Sequence, residues 1–185
     1  MLRLFYLVDV HYWPTMAANV RHGIIVMSKK AFQDCYPEEL SYCYGCGKNN
    51  REGHQLKSYW DGEETIAHFS PAAHHTAIPG FVYGGLIASL IDCHGTGTAS
   101  AAAYRAEERE MGTAPYLRFV TASLKVDYIS PAPLGPELQL RGCIIEVKER
   151  KVVVETTLSA EGILCAKGHT IAVRMPGSMV SGPDS

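Results

Sequence analysis

The sequence lacks a strong charge of either sign and a long hydrophobic run. Its 185 residues carry a formal net charge of -2, so no basic field favours nucleic acid as a partner. No stretch approaches the roughly 18 consecutive apolar residues of a transmembrane helix, and we expect no membrane association. The shares of hydrophobic residues, 46%, and charged residues, 19%, are those of a soluble globular protein.

A full set of zinc ligands is also missing from the sequence. Cys43 and Cys46 have zinc-like spacing, but a structural zinc needs four ligands and no second Cys-x-x-Cys or His-x-x-His follows. Cys35, His54 or His74 would complete a site only by accident of folding, so we expect no metal and interpret the motif as a tight turn. The six scattered cysteines are typical of free thiols, which favours a cytoplasmic location.

The length of the chain is that of one domain. We place this domain at 41–176, after an N-terminal extension (1–40) that we expect to be partly disordered. The tail, 177–185, is rich in Pro, Gly and Ser and is expected to be disordered. The apolar run near the N-terminus is interrupted by Asp9, His11 and Pro14, which argues against a secretory signal.

Hydrophobic periodicity predicts one helix and about six strands. Asp61-Gly62 between extended runs at 55–60 and 63–69 predicts a hairpin. An apolar helix begins at Gly84, and Gly95 and Gly97 weaken its far end. Alternating patterns then predict four long strands, at 118–130, 137–150, 151–160 and 163–175.

Because a single helix that is apolar on most sides needs a sheet wrapped around it, we predict an α+β fold with one central helix.

Two features of "GFVYGGLIASLID" (80–92) indicate chemistry. Gly84 and Gly85 open the head of a helix, where unpaired N–H groups and the helix dipole suit an oxyanion or a thioester carbonyl. Asp92 lies in an otherwise apolar helix, where burial raises the pKa of a carboxyl group and makes it a candidate base or nucleophile. Close packing of the glycines on the sheet and a structural aspartate are the alternatives.

The spacing of these residues predicts a dimer. At 1.5 Å per residue, Gly84 and Asp92 lie about 12 Å apart along the helix axis. One carbonyl needs both the donor and the acid close by, which a single helix does not provide. Two antiparallel copies of the helix would bring Gly84 of one chain beside Asp92 of the other, so we expect a homodimer with shared sites.

The segments "YCYGCGKNN", "HFSPAAHHTAIPGFVYGGLIASLID" and "VTASLKVDYISPAPLGPEL" together resemble the hotdog-fold thioesterases of the phenylacetate-pathway (PaaI-like) type. The resemblance extends from Cys43 to Val173. It implies a long antiparallel sheet wrapped around one helix, a homodimer or a dimer of dimers, and hydrolysis of an acyl-CoA thioester. Coenzyme A is then part of the substrate, and no other cofactor is implied.

The resemblance also implies roles for single residues. Gly84 becomes the amide donor to the thioester carbonyl, and Asp92 the general base or nucleophile. Thr121 becomes a hydroxyl that orients the attacking water, and His75 matches a loop histidine of the family; Gly85 and Tyr83 complete the predicted substrate contacts. Tyr83 departs from the family pattern, which has histidine there, and a tyrosine is no base at neutral pH.

One further sequence pattern and two alternative functions need to be considered. The run Asp92-Cys93-His94 mimics a nucleophile triad, but neighbouring helix residues point about 100° apart and do not face one another.

A non-catalytic acyl-CoA-binding module is the main alternative to an enzyme. An enoyl-thioester hydratase or dehydratase is a weaker one, since 79–85 holds neither Asp nor His. Candidates for holding the CoA phosphates are Arg118, Lys125, Arg141 and the "KERK" run at 148–151.

Overall fold

The structure is a computed structural model that describes residues 30–179. The predictions for 1–29 and for 180–185 lie outside these residues. The helix and the strands are α1 (Gly84–Ala106), β1 (Ser58–Asp61), β2 (Glu64–Phe69), β3 (Phe119–Tyr128), β4 (Leu138–Lys148), β5 (Lys151–Ala160) and β6 (Ile163–Arg174). Short 3₁₀ turns occur at Phe32–Cys35, Glu38–Leu40, Ala73–His75 and Gly177–Met179.

The strands form one antiparallel six-stranded sheet in the order β1-β2-β4-β5-β6-β3. Helix α1 packs against β3, β4, β5 and β6. This arrangement confirms the predicted hotdog fold. Strand β3 lies at one edge of the sheet, so one side of its backbone is unpaired within the described chain.

The local patterns explain these elements. Alternate residues of β5 are buried, from Val152 to Ala160, because successive side chains of a strand point to opposite faces. Gly62 has φ +65°, which suits the predicted turn between β1 and β2. The charged run 148–151 forms the β4–β5 turn, as its composition indicates.

Helix α1 supplies the centre of the core. Leu86, Ile87, Leu90 and Ile91 are each at most 3% exposed, which confirms the predicted apolar face. The helix continues through Gly95 and Gly97 to Ala106, although glycine has a low helix propensity. A Cβ at Gly95 would lie 2.6 Å from Oγ1 of Thr170 on β6, so glycine here lets the helix approach the sheet.

We therefore expect Gly95→Ala to destabilise the fold by about 1–3 kcal/mol. Alanine favours a helix over glycine by about 1 kcal/mol, but a Cβ forced against the stiff, β-branched Thr170 costs more than this gain. Urea unfolding measures the difference. The cost should shrink in a Thr170→Ala background, and an unchanged cost there would contradict the proposed clash.

A buried polar network joins α1 to the first hairpin. His94 is fully buried; its Nδ1 lies 2.9 Å from Oγ of Ser58 and its Nε2 lies 3.2 Å from Oγ1 of Thr65. Thr65 also shares a 2.6 Å hydrogen bond with Thr98. Burial lowers the pKa of His94 to about 4, so the ring is neutral at neutral pH.

The segment before residue 41 belongs to the packed structure. Phe32 is 2% exposed and its ring meets Trp60 edge-on at 5.5 Å. Gln33 is completely buried; its side chain donates to Oγ of Ser58 at 3.1 Å and accepts from the backbone N–H of Ser58 at 2.8 Å. The described core thus includes residues that the predicted boundary at 41 leaves out.

Candidate active site

Asp92 on α1 and Thr121 on β3 form a direct pair. The Oγ1 hydroxyl of Thr121 donates a hydrogen bond to Oδ1 of Asp92. Asp92 is half-buried, whereas Thr121 is exposed. Partial burial raises the pKa of Asp92, while the hydrogen bond from Thr121 acts in the opposite direction. The carboxylate is therefore partly desolvated, and its hydrogen-bond partner Thr121 is exposed to solvent.

A β-bulge helps to aim Thr121. The register between β3 and β6 shifts between Thr121 and Ser123, so Ala122 is an extra residue in the ladder. Bulges turn side chains away from the regular alternation and are common beside functional sites. The family resemblance predicts Thr121 as a site residue, whereas no pattern in the sequence indicates the bulge.

The head of α1 carries two free helix donors. The N–H groups of Leu86 and Ile87 donate back to the carbonyl of Tyr83, at 3.1 and 3.3 Å. The N–H groups of Gly84 and Gly85, the first two residues of α1, have no acceptor within the helix. The hydroxyl of Tyr128 donates to the Gly84 carbonyl at 2.8 Å, which ties the end of β3 to the helix head.

Tyr83 lies over this helix head. A Cβ built on Gly85 would be 2.3 Å from Cζ of the Tyr83 ring, so the ring covers Gly85 closely. The Tyr83 side chain remains 57% exposed and therefore borders solvent. A side chain at position 85 would displace the Tyr83 ring from this place, a contact that the sequence does not reveal.

An apolar groove of about 450 Å³ begins beside Gly84. It lies between the loop before α1 and the segment that follows β3, and Ile87, Phe81 and Tyr128 line it. Ile78, Ile129, Pro131 and Ala132 complete most of the wall. Its size and apolar lining suit the aliphatic part of a small ligand.

His75 lies in a cluster of rings rather than at the helix donors. Its ring centroid is 4.2 Å from that of His74 and 5.5 Å from that of His54. Its Nδ1 accepts from the backbone N–H of Ala72 at 3.0 Å, and burial lowers its pKa. The carbonyl of His75 accepts from the N–H of Tyr83 at 2.8 Å, so this residue positions the helix head through its backbone.

The side chains of Asp92, Cys93 and His94 have separate partners. Asp92 meets Thr121, Cys93 lies 3.8 Å from Cys43 between the sulfur atoms, and His94 meets the hydroxyls of β1 and β2. This confirms that the run is not a triad. The cysteine contact was missed, because nothing local connects residue 93 to residue 43.

The basic residues considered for phosphate binding mostly have partners within the described chain. Arg141 bridges Asp61 and Glu64 at 2.9 and 3.0 Å. Lys125 pairs with Asp127 at 2.9 Å. Lys148 and Lys151 both pair with Glu146, and the guanidinium of Arg118 lies 4.0 Å over the ring of Tyr36.

Two half-sites therefore lie on one helix. Asp92 is paired with Thr121, and Gly84 borders the apolar groove with Tyr128, but the two sets have no common contact among residues 30–179. Both lie on α1, about 12 Å apart along its axis. None of the helices between residues 30 and 179 combines the length and the apolar composition that a membrane span requires.

Comparison with known proteins gives these half-sites a context. The sequence profile of the thioesterase superfamily matches residues 79–166, which include Gly84, Asp92 and Thr121. A crystal structure of a thioesterase superfamily protein from Shewanella loihica PV-4 is 59% identical, with a TM-score of 0.59, covering 74% of this chain and 96% of that one. No curated protein matches the sequence.

More distant structures share the fold. A phenylacetic acid degradation-related protein from Ralstonia eutropha JMP134 is 17% identical, with a TM-score of 0.54, covering 65% of this chain and 85% of that one. The protein smu.793 from Streptococcus mutans UA159, solved bound to acetyl-CoA, is 16% identical, with a TM-score of 0.53 and coverage of 69% and 94%. With 59% identity over nearly the whole of the Shewanella protein, this chain belongs to the thioesterase superfamily.

Proposed function

We propose that the protein is an acyl-CoA thioesterase, which hydrolyses an acyl-CoA to the free acid and coenzyme A. The observation that carries this proposal is the Asp92–Thr121 pair, a half-buried carboxylate held by a hydroxyl at the surface of the sheet edge. A carboxylate with a raised pKa is a better base than an ordinary surface aspartate. The superfamily membership supports thioester chemistry for this carboxylate.

In the proposed reaction, Asp92 accepts a proton from water as the water oxygen attacks the thioester carbonyl carbon. Thr121 orients that water. The developing oxyanion accepts from the free N–H of Gly84 at the positive end of the helix. Collapse of the intermediate breaks the C–S bond, and the proton held by Asp92 goes to the sulfur of coenzyme A. Direct attack by the carboxylate, followed by hydrolysis of the anhydride, is the alternative route through the same residue.

The proposed assembly is a homodimer in which each site uses both chains. The separation along α1 supports this, because neither half-site holds both the acid and the helix donors. Strand β3 also supports it, since it is a ten-residue edge strand that carries Thr121 beside Asp92. Edge strands are templates for pairing with another chain. The acid of one chain would then act with Gly84 of the partner subunit.

We assign the apolar groove beside Gly84 to the part of the substrate next to the thioester. Its walls are almost entirely apolar, so it suits an acyl chain or the pantetheine arm better than the nucleotide. The acetyl-CoA bound to smu.793 supports the ligand class. A homodimer of this kind requires neither a cofactor nor a metal for the chemical step.

A panel of acyl-CoA substrates tests the proposal. We expect hydrolysis well above the uncatalysed rate for at least one chain length, followed as loss of thioester absorbance. This readout avoids thiol reagents, which would also react with the exposed Cys43 and Cys143. Background rates across short, long and aromatic acyl groups would contradict the enzyme.

A non-catalytic acyl-CoA-binding module is the second candidate, and the position of Tyr83 favours it. Tyr83 stands where the family pattern has a histidine. Its ring lies over Gly85 and narrows access to the helix donors. This candidate predicts acyl-CoA binding by calorimetry without turnover. Restored turnover in Tyr83→His, with none in the wild type, would identify the ring as the cause.

A further inference from the structure

Two neighbouring cysteines of the turn at 43–46 meet a third, distant cysteine of α1 beside the Asp92–Thr121 pair. The sulfur atoms of Cys43, Cys46 and Cys93 all lie within 4.8 Å of one another. Cys43 and Cys46 flank the tight turn before β1, and Cys93 projects from α1 toward it. Cys46 and Cys93 are buried and Cys43 is exposed, so the cluster reaches solvent on one side only.

The turn is built to approach the helix at this point. A Cβ on Gly45 would lie 2.3 Å from the sulfur of Cys93 and 3.3 Å from Oγ of Ser89. Only glycine lets the turn place both flanking thiols against α1. The amide of Gly47 closes the turn on the Cys43 carbonyl at 2.7 Å.

The separations fit a tetrahedral metal. Zinc–thiolate bonds of about 2.3 Å place the sulfurs of a tetrahedral site about 3.8 Å apart. The Cys43 and Cys93 sulfurs are 3.8 Å apart, and the other two sulfur–sulfur separations are no longer than 4.8 Å. None of the six cysteines is in a disulfide, so all three thiols are free to act as ligands.

The charge around the cluster also fits. Three thiolates and one Zn²⁺ carry a net charge of -1, which is costly beside buried groups without a counter-charge. Arg118 interacts electrostatically with all three cysteines. Its Nη1 is buried and has no hydrogen-bond partner within the described chain, so the guanidinium is available to offset that charge.

We propose that Cys43, Cys46 and Cys93 bind one zinc ion, with a water molecule as the fourth ligand on the exposed side of Cys43. Soft thiolate ligands select zinc over the hard cations magnesium and calcium. The ion would fasten the turn at 43–46 to α1 one residue from Asp92. This site stands independently of the proposed hydrolysis, because its ligands come from the thiols alone.

Zinc stoichiometry tests the proposal. The full chain is reduced, loaded with Zn²⁺, and dialysed, and metal is measured by elemental analysis. We expect one zinc per wild-type chain, and at least a tenfold lower content for Cys43→Ser and Cys93→Ser. Cys165→Ser, which removes a buried thiol outside the cluster, should retain one zinc. Cys43 is exposed, so its variant is expected to fold even if Cys93→Ser does not.

A spectroscopic arm identifies the ligands. Cobalt(II) in place of zinc should give a thiolate-to-metal charge-transfer band that Cys43→Ser weakens and Cys165→Ser does not. Wild-type chain that stays metal-free under reducing conditions overturns the zinc site, as does equal loading of the Cys43 variant. A disulfide within the cluster in place of metal, detected by mass spectrometry, overturns it too. None of these readouts depends on thioesterase activity.

Discussion

Asp92→Asn is expected to lower kcat/KM for the best acyl-CoA substrate by about 10²–10⁴-fold. Asparagine keeps the size of the side chain and still accepts a hydrogen bond from Thr121, but it neither takes a proton from water nor attacks a thioester. Both routes through this residue therefore fail, while binding of the substrate is retained. The loss should appear in kcat, since the interaction with the carboxylate develops in the transition state.

The measurement compares thioester absorbance loss for the wild type and the variant, with thermal unfolding of both to show that the fold is intact. Asp61→Asn makes the same chemical change on the first hairpin, where the carboxylate pairs with Arg141. This control should retain nearly full activity. Activity of Asp92→Asn within about threefold of the wild type would remove Asp92 from the mechanism, and equal losses in both variants would point to a general effect of charge.

Between pH 6.5 and pH 4 the wild type is expected to lose about 3 kcal/mol of stability through His94 alone. The pKa of this ring falls from 6.5 to about 4 in the fold because burial disfavours the imidazolium. The unfolded chain therefore binds more protons in this window, and acid favours unfolding. Above pH 6.5 the contribution is complete; below pH 4 it is lost.

Urea unfolding at pH 7, 6 and 5 measures this loss, in a range where most carboxylates stay ionised. His94→Gln lacks the titrating group and should show a flatter dependence, by about 2 kcal/mol between pH 7 and pH 5. The variant is expected to be less stable at pH 7, since the hydroxyls of Ser58 and Thr65 lose part of their hydrogen bonding. Parallel pH curves for the two proteins would contradict the neutral buried ring.

Most of the fold follows from local patterns. The Asp61-Gly62 turn, the apolar face of α1 and the alternation along β5 each report on neighbours only a few residues away. The order of strands is different, because β4 separates β2 from β5 and β3 pairs with β6 at the far edge. Those pairings depend on how the whole sheet closes around the helix, which no short window of sequence contains.

Some residues of the candidate site can be recognised from the local sequence, and others depend on tertiary contacts. The glycines and the acid of α1 are recognisable because each is unusual for its own position. Thr121 was found only through family resemblance, and the contact of Cys93 with Cys43 spans fifty residues with no local signal. The reason for a glycine at position 95 is likewise absent from the local pattern, because it lies in the close approach of α1 to Thr170 on β6.

The separate partners of Asp92, Cys93 and His94 have a consequence for how this helix tolerates length changes. One residue inserted between 84 and 91 would rotate everything after it by about 100° relative to the helix head. The acid would leave Thr121, the thiol would leave the turn at 43–46, and the imidazole would leave the hydroxyls of the first hairpin. A point substitution in this segment removes one of these contacts, whereas a single insertion or deletion would remove all three contacts at once. The eight-residue distance from Gly84 to Asp92 is therefore fixed by three separate contacts at once.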